Sequence, residues 1–295
     1  MTLAKSILFV LLGALATSFS TVWVAHLTRN KKWGTPTAFH LLVGFVTDFF
    51  DTLGIGSYAT TTSLYRLRQA VPDEQIPGTL NIGHAIPTIV QAFIYITIVE
   101  VNMKTLALLI SASVFGAWLG AGIVTRLPRR RIQIGMGLAL LAASTLMLGG
   151  MLNVLPKGGS ATSLGGPSLI TALCGNFCLG ALMTIGIGAY APIMIMVSLL
   201  GMNPKAAFPV MMGSCAFLMP TAGVRFIRSE KYDPRAALAL AVGGTPAVLL
   251  AAFIVKEMPL DVVRWLVVVV VLYSAASLLW AARLIQPAPS PTTLD

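Results

Sequence analysis

The chain has 295 residues, of which 56% are hydrophobic and only 10% are charged, and its mean hydropathy is +0.84. A water-soluble globular protein of this length would not need so many apolar residues to form its core, so this composition excludes that class. The formal net charge of +10 comes from cations that lie in the loops between apolar stretches, where such residues orient a protein in the membrane. We therefore expect no nucleic-acid partner.

Seven apolar stretches have about the length of one helical membrane crossing, which needs roughly 20 residues for a hydrocarbon core about 30 Å thick. The first, residues 6–27, continues past the small residues Ala14 and Ala16 that could mimic a signal-peptide cleavage site, and we interpret it as a transmembrane helix. The other six are residues 79–99, 105–124, 132–152, 206–226, 236–255 and 262–284. The pattern predicts an all-α polytopic membrane protein.

Two further apolar stretches, residues 37–67 and 169–200, are too long for one straight crossing and are interrupted by glycines. They match each other at a constant offset of 132 residues, which indicates an internal repeat. The matched pairs are Phe45 with Phe177, Thr52 with Thr184, Gly54-Ile55-Gly56 with Gly186-Ile187-Gly188, Tyr58-Ala59 with Tyr190-Ala191, Leu67 with Leu199, Pro72 with Pro204, and Pro77 with Pro209. Because glycine and proline determine backbone shape, we interpret the two halves as duplicates.

Basic residues indicate how the two long stretches enter the membrane. If each crossed once, Arg29, Lys31 and Lys32 would lie on the opposite side from the basic cluster at residues 126–131, against the positive-inside rule. If each is a re-entrant hairpin with a Gly-Ile-Gly tip, both clusters lie on the cytoplasmic side. Three crossings then separate the hairpins, so the two repeats are inverted.

This topology predicts four units along the chain. They are an N-terminal transmembrane helix (1–35), a first repeat (36–155) and a second repeat (168–285), each made of one hairpin and three transmembrane helices, and a disordered tail (286–295). The protein then crosses a bacterial-type inner membrane seven times, with its N-terminus outside and its C-terminus cytoplasmic. The alternative treats the long stretches as kinked spanning helices, for nine spans.

The paired glycine tips predict a binding site at the middle of the membrane. Gly54 and Gly186 suit the ends of the first hairpin arms, and Gly56 and Gly188 let the chain turn into the second arms. The second arms then present free backbone N–H groups and positive dipole ends, which attract anions. The predicted substrate-binding residues are Thr52, Gly54, Gly56, Ser57, Tyr58, Asn81, Thr184, Gly186, Gly188, Ala189 and Tyr190. The alternative, that the glycines only allow close helix packing, accounts less well for their duplication.

Ionisable residues in the first half predict proton coupling. Asp48 and Asp51 lie three residues apart on the first hairpin arm, where an ionised carboxylate is costly and often functional. A carboxylate beside an anion site would repel the anion unless it were protonated, so uptake of a proton could accompany uptake of the anion. His84 could relay the proton. The alternatives are a helix cap or an arginine partner for Asp51, such as Arg66 or Arg225, and a structural hydrogen bond for His84.

The first hairpin carries a family resemblance. Residues 44–59, GFVTDFFDTLGIGSYA, together with Gly186-Ile187-Gly188, resemble the sulfite exporter TauE/SafE family of membrane permeases. The resemblance extends over residues 6–284 and implies transport of sulfite, sulfonates, sulfoacetate or other organic anions. Many members have a GxGGG stretch where this chain has Ser57 and Tyr58 after Gly56, which leaves the substrate within this class open.

Other functions have less support in the sequence. No nucleotide-binding loop, hydrolase motif or metal-ligand cluster is present, so we expect no enzyme activity, no cofactor and no metal. The expected partners are a small anion and the lipid bilayer, with a homo-oligomer left open. A passive anion channel is the second hypothesis, and a membrane enzyme or non-catalytic membrane subunit is the third.

Overall fold

The computed structural model describes residues 3–72, 74–124, 129–152, 159–183, 188–257 and 259–284, and in these residues the protein is built from α-helices. In chain order the helices are α1 (Leu3–Arg29), α2 (Ala38–Thr52), α3 (Ser57–Arg68), α4 (Ile76–Gly83), α5 (Ala85–Ile98), α6 (Met103–Val124), α7 (Arg129–Met151), α8 (Gly166–Met183), α9 (Tyr190–Leu199), α10 (Ala207–Arg228), α11 (Pro234–Glu257) and α12 (Leu260–Leu284). A short 3₁₀ turn, Pro204–Ala206, leads into α10. The predicted all-α architecture is confirmed.

The length and hydropathy of several helices suit a membrane crossing. Among the described residues, α1, α8, α11 and the segment Pro204–Arg228 are each long and apolar enough to span. Helices α4 and α5 qualify together as one span, bent by 40° at His84. Many large apolar side chains of these helices are exposed, as lipid contact requires. The chain is a multi-pass membrane protein.

Helices α2 and α3 form a hairpin. The ring centroids of Phe39 and His40, at the start of α2, lie 6.4 and 5.5 Å from that of Tyr65 near the end of α3. The Arg68 guanidinium lies 5.1 Å from the centre of the Phe39 ring. The two arms are therefore antiparallel, with their open end at these residues and their tip between Thr52 and Ser57. The first long stretch is a re-entrant hairpin, and its interpretation as a kinked spanning helix is wrong.

The second hairpin consists of α8 and α9. Gly175 on α8 packs against the side chain of Met196 on α9. The chain segments at its open end are joined by a short parallel bridge between Ala161 and Met202. Part of the predicted second tip, residues 184–187, lies outside the described residues.

The two hairpins open on opposite faces of the protein. At the open end of the first, Gly34 packs against Arg235, and the backbone N–H of Asp233 donates to Thr79 Oγ1 at 2.9 Å. At the open end of the second, the N–H of Asn102 donates to the carbonyl of Thr162 at 2.9 Å. Because α4 and α5 run from the first of these faces to the second, the repeats are inverted as predicted.

Each half packs mainly on the other half. The most extensive helix contacts are those of α2 with α11 and of α8 with α6, which are equivalent pairs in the two repeats. Gly44 lies directly against the backbone of Leu240, and Gly180 lies against the carbonyl of Ser113. Because lipid offers no hydrophobic driving force for helix association, such close approaches at small residues supply the packing contacts. The first arm of each hairpin is therefore held by a helix of the opposite repeat.

The face at which the first hairpin opens carries a polar loop contact. Lys32, after α1, forms a 2.9 Å ion pair with Glu230, between α10 and α11. The hydrogen bond from Lys32 holds the pKa of the Glu230 carboxyl below its usual value. In the same loop, burial raises the pKa of Tyr232 to about 12. This loop therefore ties the end of the N-terminal helix to the second repeat.

Candidate functional site

The first hairpin tip is a helix C-cap followed at once by a helix start. Gly54 has φ +97°, and its N–H donates to the carbonyl of Asp51 at 2.8 Å, while the N–H of Ile55 donates to that of Phe50 at 3.1 Å. This pair of bonds is a Schellman motif, which favours glycine at its left-handed position. Gly56, with φ +83°, then precedes the first residue of α3. Both glycines hold the backbone geometry predicted for them.

The two hairpin tips face each other with reciprocal contacts. A Cβ atom placed on Gly56 would lie 3.8 Å from Tyr190 Cβ, and one placed on Gly188 would lie 4.0 Å from Tyr58 Cβ. Each tip glycine thus faces the first-turn tyrosine of the other repeat. The side chains of Tyr58 and Tyr190 are buried, so the junction of the tips is closed off from its surroundings.

Asp51 caps the start of α3. Its Oδ1 accepts a hydrogen bond of 2.5 Å from the backbone N–H of Ser57, the first residue of that helix. Its Oδ2 accepts from Gln91 Nε2 at 2.9 Å. The sequence left a helix cap and an arginine partner open for Asp51, and in the structure its side chain caps a helix. One of the N–H groups expected to be free for an anion is therefore occupied by a carboxylate of the protein itself.

Gln91, on α5, joins the two repeats. Its Nε2 donates to Asp51 Oδ2 and, at 3.0 Å, to Thr52 Oγ1, while its Oε1 accepts from the Tyr190 hydroxyl at 3.1 Å. The Tyr95 hydroxyl donates to the carbonyl of Thr52 at 2.9 Å. Gln91 is completely buried. It lies at the centre of the network and is not among the residues predicted from the sequence, although an amide inside an apolar span is itself a signal.

Asp48 and His84 form a buried pair next to this network. His84 Nδ1 lies 2.9 Å from Asp48 Oδ1, and His84 Nε2 lies 3.1 Å from Thr61 Oγ1 on α3. Both side chains of the pair are completely inaccessible to solvent. Asp48 Oδ2 has no hydrogen-bond partner among the described residues and lies against Gly244 on α11. His84 thus bonds to both arms of the first hairpin.

The repeats differ at this position. In the second repeat the counterpart of Asp48 is Gly180. Asp48 packs against Gly244 on α11, whereas Gly180 packs against the carbonyl of Ser113 on α6. The charged part of the network therefore belongs to the first repeat, and the second repeat contributes Tyr190. An asymmetric hydrogen-bond network thus lies between two repeats of the same architecture.

Most residues predicted from the sequence gather at the junction of the tips. The structure brings together Thr52, Gly54, Gly56, Ser57, Tyr58, Gly188, Ala189 and Tyr190, with Asp48, Asp51 and His84 beside them. Asn81 bonds instead to the Pro77 carbonyl of its own helix at 2.8 Å. Thr184 and Gly186 lie outside the described residues. Within the described residues, no group of three His, Cys, Asp or Glu side chains could hold a metal ion.

Comparison with known proteins gives one family. The family model described as Sulfite exporter TauE/SafE matches residues 2–148 and again residues 149–294. The two matches cover the two halves in turn, as an internal duplication requires. Searches among curated proteins and among solved structures found no match.

Proposed function

The chain belongs to the sulfite exporter TauE/SafE family of membrane transporters, and from that premise we propose that it is a secondary transporter of a small sulfur-containing oxyanion or organosulfonate, such as sulfite or sulfoacetate. The observation that supports this most directly is the meeting of the two inverted hairpin tips, each followed by a helix N-terminus. In transporters built from inverted repeats, substrate sites lie where such broken helices meet.

The chemistry of the junction suits an anion. The starts of α3 and α9 direct backbone N–H groups and positive dipole ends towards it, and the hydroxyls of Ser57, Tyr58 and Tyr190 are close by. Each helix end contributes roughly 0.3–2 kcal/mol to holding a negative charge. With hydroxyl donors added, the expected dissociation constant is roughly micromolar to millimolar.

The interlocked packing supports a mechanism of alternating access. Because α2 packs on α11 and α8 packs on α6, rocking one interlocked unit against the other would expose the tips first to one face and then to the other. The buried junction corresponds to a closed intermediate of that cycle. Asp51, Asp48 and His84 couple the cycle to protons, because an anion beside a buried carboxylate is tolerated only when that carboxylate is neutralised.

Anion-dependent thermal stabilisation of the purified protein tests this proposal. Sulfite, sulfoacetate or another sulfonate should raise the melting temperature selectively over acetate and phosphate, and Gly56→Leu and Gly188→Leu should both lose the shift because they fill the junction. Gly201→Leu is the matched control, since Gly201 also has a positive φ, +95°, and no atom lies within 4 Å of a Cβ placed there. Stabilisation by no anion, or equal stabilisation of all variants, would contradict the proposal. Non-saturating flux in liposomes would indicate a passive anion channel instead.

We also propose that the face at which the first hairpin opens is cytoplasmic, with the N-terminus outside. The cations Lys32, Arg68 and Arg228 lie at this face, as the positive-inside rule requires of a cytoplasmic one. In a cysteine-free background, an impermeant thiol reagent should label Lys104→Cys in intact cells and Arg228→Cys only after permeabilisation. The reverse pattern would overturn this orientation.

A further inference from the structure

We infer that the Asp51 carboxylate and the transported anion compete for the same backbone N–H group at the start of α3, and that Asp51 must leave it as the neutral acid before the anion binds. This inference rests on the proposed transport function and specifies how a proton enters the cycle. It assigns Asp51 the role of a tethered competitor of the substrate.

The position of the carboxylate is the first support. Asp51 Oδ1 accepts from the N–H of Ser57, the group at which a helix N-terminus would hold an oxyanion. Asp51 comes from the arm that ends at the tip, so a small rotation of its side chain would vacate this N–H without moving a helix. Two negative charges on one donor in a buried site repel each other strongly, so occupation by Asp51 and by the substrate is mutually exclusive.

A buried hydroxyl carried by the same helix turn is the second support. The Tyr58 hydroxyl is buried and has no hydrogen-bond partner among the described residues, although Tyr58 follows Ser57 directly in the first turn of α3. Buried hydroxyls without partners are costly and call for an explanation. An oxyanion bound in place of the carboxylate would supply the missing acceptor.

The buried surroundings of Asp51 require its carboxyl group to be protonated when it leaves the Ser57 N–H. Away from Ser57 the carboxylate loses a charge-assisted hydrogen bond and has only the Gln91 amide left as a donor, and an ionised carboxylate with so little support is costly in a buried site. The ionisable groups near enough to interact with its charge are Asp48, on the same helix, and Tyr58, His84, Tyr95, Tyr190 and Cys215. Only His84 among them can be cationic, and it is bonded to Asp48.

The proton balance is simple. One proton from water adds to Asp51 as the carboxylate leaves Ser57, and one anion takes its place. When the anion departs, the carboxylate returns to Ser57 and releases the proton. Each anion therefore travels with one proton, and the net charge of the site is the same with and without substrate.

Binding of methanesulfonate, which stays ionised across neutral pH, tests the inference by titration calorimetry of the purified protein. Wild-type affinity should fall about tenfold for each pH unit above neutrality, because binding takes up one proton. Asp51→Asn should lose this slope and bind at alkaline pH at least as tightly as wild type at acid pH, since the amide cannot carry the competing charge. Asp233→Asn is the matched control, because this carboxylate also caps a helix start, that of α11, away from Ser57 at the open end of the first hairpin, and the variant should keep the slope.

Two outcomes would overturn the inference: a slope that persists in Asp51→Asn, or weaker binding by that variant at every pH. Ser57→Pro provides a test that does not depend on Asp51 variants folding, because proline is well tolerated at the first position of a helix but removes the N–H. It should weaken methanesulfonate binding, and unchanged binding would show that the group is not shared. If no sulfonate or sulfur oxyanion binds even to wild type at any pH, the proposed function itself fails.

Discussion

Replacing His84 with leucine is expected to lower the free energy of unfolding by about 3–5 kcal/mol. His84 is the hydrogen-bond partner of Asp48 Oδ1, and Asp48 Oδ2 has none among the described residues, so the variant leaves a completely buried carboxylate without support. Removing one partner of a buried charged pair costs more than removing both. Adding Asp48→Asn to His84→Leu should therefore restore most of the loss. Denaturant titration of the purified protein in detergent measures both variants.

His26→Leu is the control for the size and polarity change. His26 is only partly buried and bonds to Asn30 one turn away on the same helix, so its replacement should cost no more than about 0.5 kcal/mol. A His84→Leu protein as stable as this control would show that the Asp48 carboxylate does not depend on His84. A double variant no more stable than His84→Leu alone would indicate that His84 acts through Thr61 rather than through Asp48.

Gln91→Leu is expected to reduce transport about 10- to 100-fold. The change removes the bridge between the repeats and leaves Asp51 Oδ2 and the Tyr190 hydroxyl without the partner that Gln91 supplies. A buried polar group left unpaired costs about 1–3 kcal/mol, and about 1.4 kcal/mol corresponds to tenfold in rate or affinity. Uptake of labelled sulfite into proteoliposomes, normalised to folded protein, measures the effect.

Tyr190→Phe distinguishes the link between the two repeats from the hydrogen bond that Gln91 donates to Asp51. This variant removes only the bond from the second repeat and leaves the contact of Gln91 with Asp51 in place, so its transport should lie between wild type and Gln91→Leu. In the double variant the two effects should not add, because both changes break the same link. Wild-type uptake by Gln91→Leu would mean that the bridge contributes only to packing.

The predictable part of the candidate site was the part that depends on backbone shape. Gly54 and Gly56 were assigned to the tip because only glycine adopts positive φ without strain, and both have it. The reciprocal placement of Tyr58 and Tyr190 follows from the same duplication. What could not be predicted is the set of side-chain partners, as Asp51 illustrates: an arginine partner and a helix cap were both compatible with its position in the chain.

Gln91 and Asn81 show why side-chain partners cannot be predicted from the sequence. Each is an amide in an apolar stretch of the same half. The structure turns Gln91 towards Asp51 and Tyr190, and gives Asn81 a bond to the carbonyl of Pro77, four residues earlier. Which amide reaches the site depends on how α4 and α5 rotate and bend at His84.

The sequence by itself determined the membrane environment and the duplication, and it favoured re-entrant hairpins in inverted repeats over kinked spanning helices. These follow from properties that run along the chain: the length of apolar stretches relative to the bilayer, the sidedness of basic loops, and glycines matched at a constant offset. Only the tertiary structure decided that each hairpin packs on the opposite repeat, that Asp48 pairs with His84, and that Gln91 joins Asp51 to Tyr190. The three side-chain contacts join residues from 36 to 99 positions apart, and they depend on which helix faces meet. Lipid-facing and protein-facing sides of a helix are nearly equally apolar, so hydropathy does not distinguish those faces.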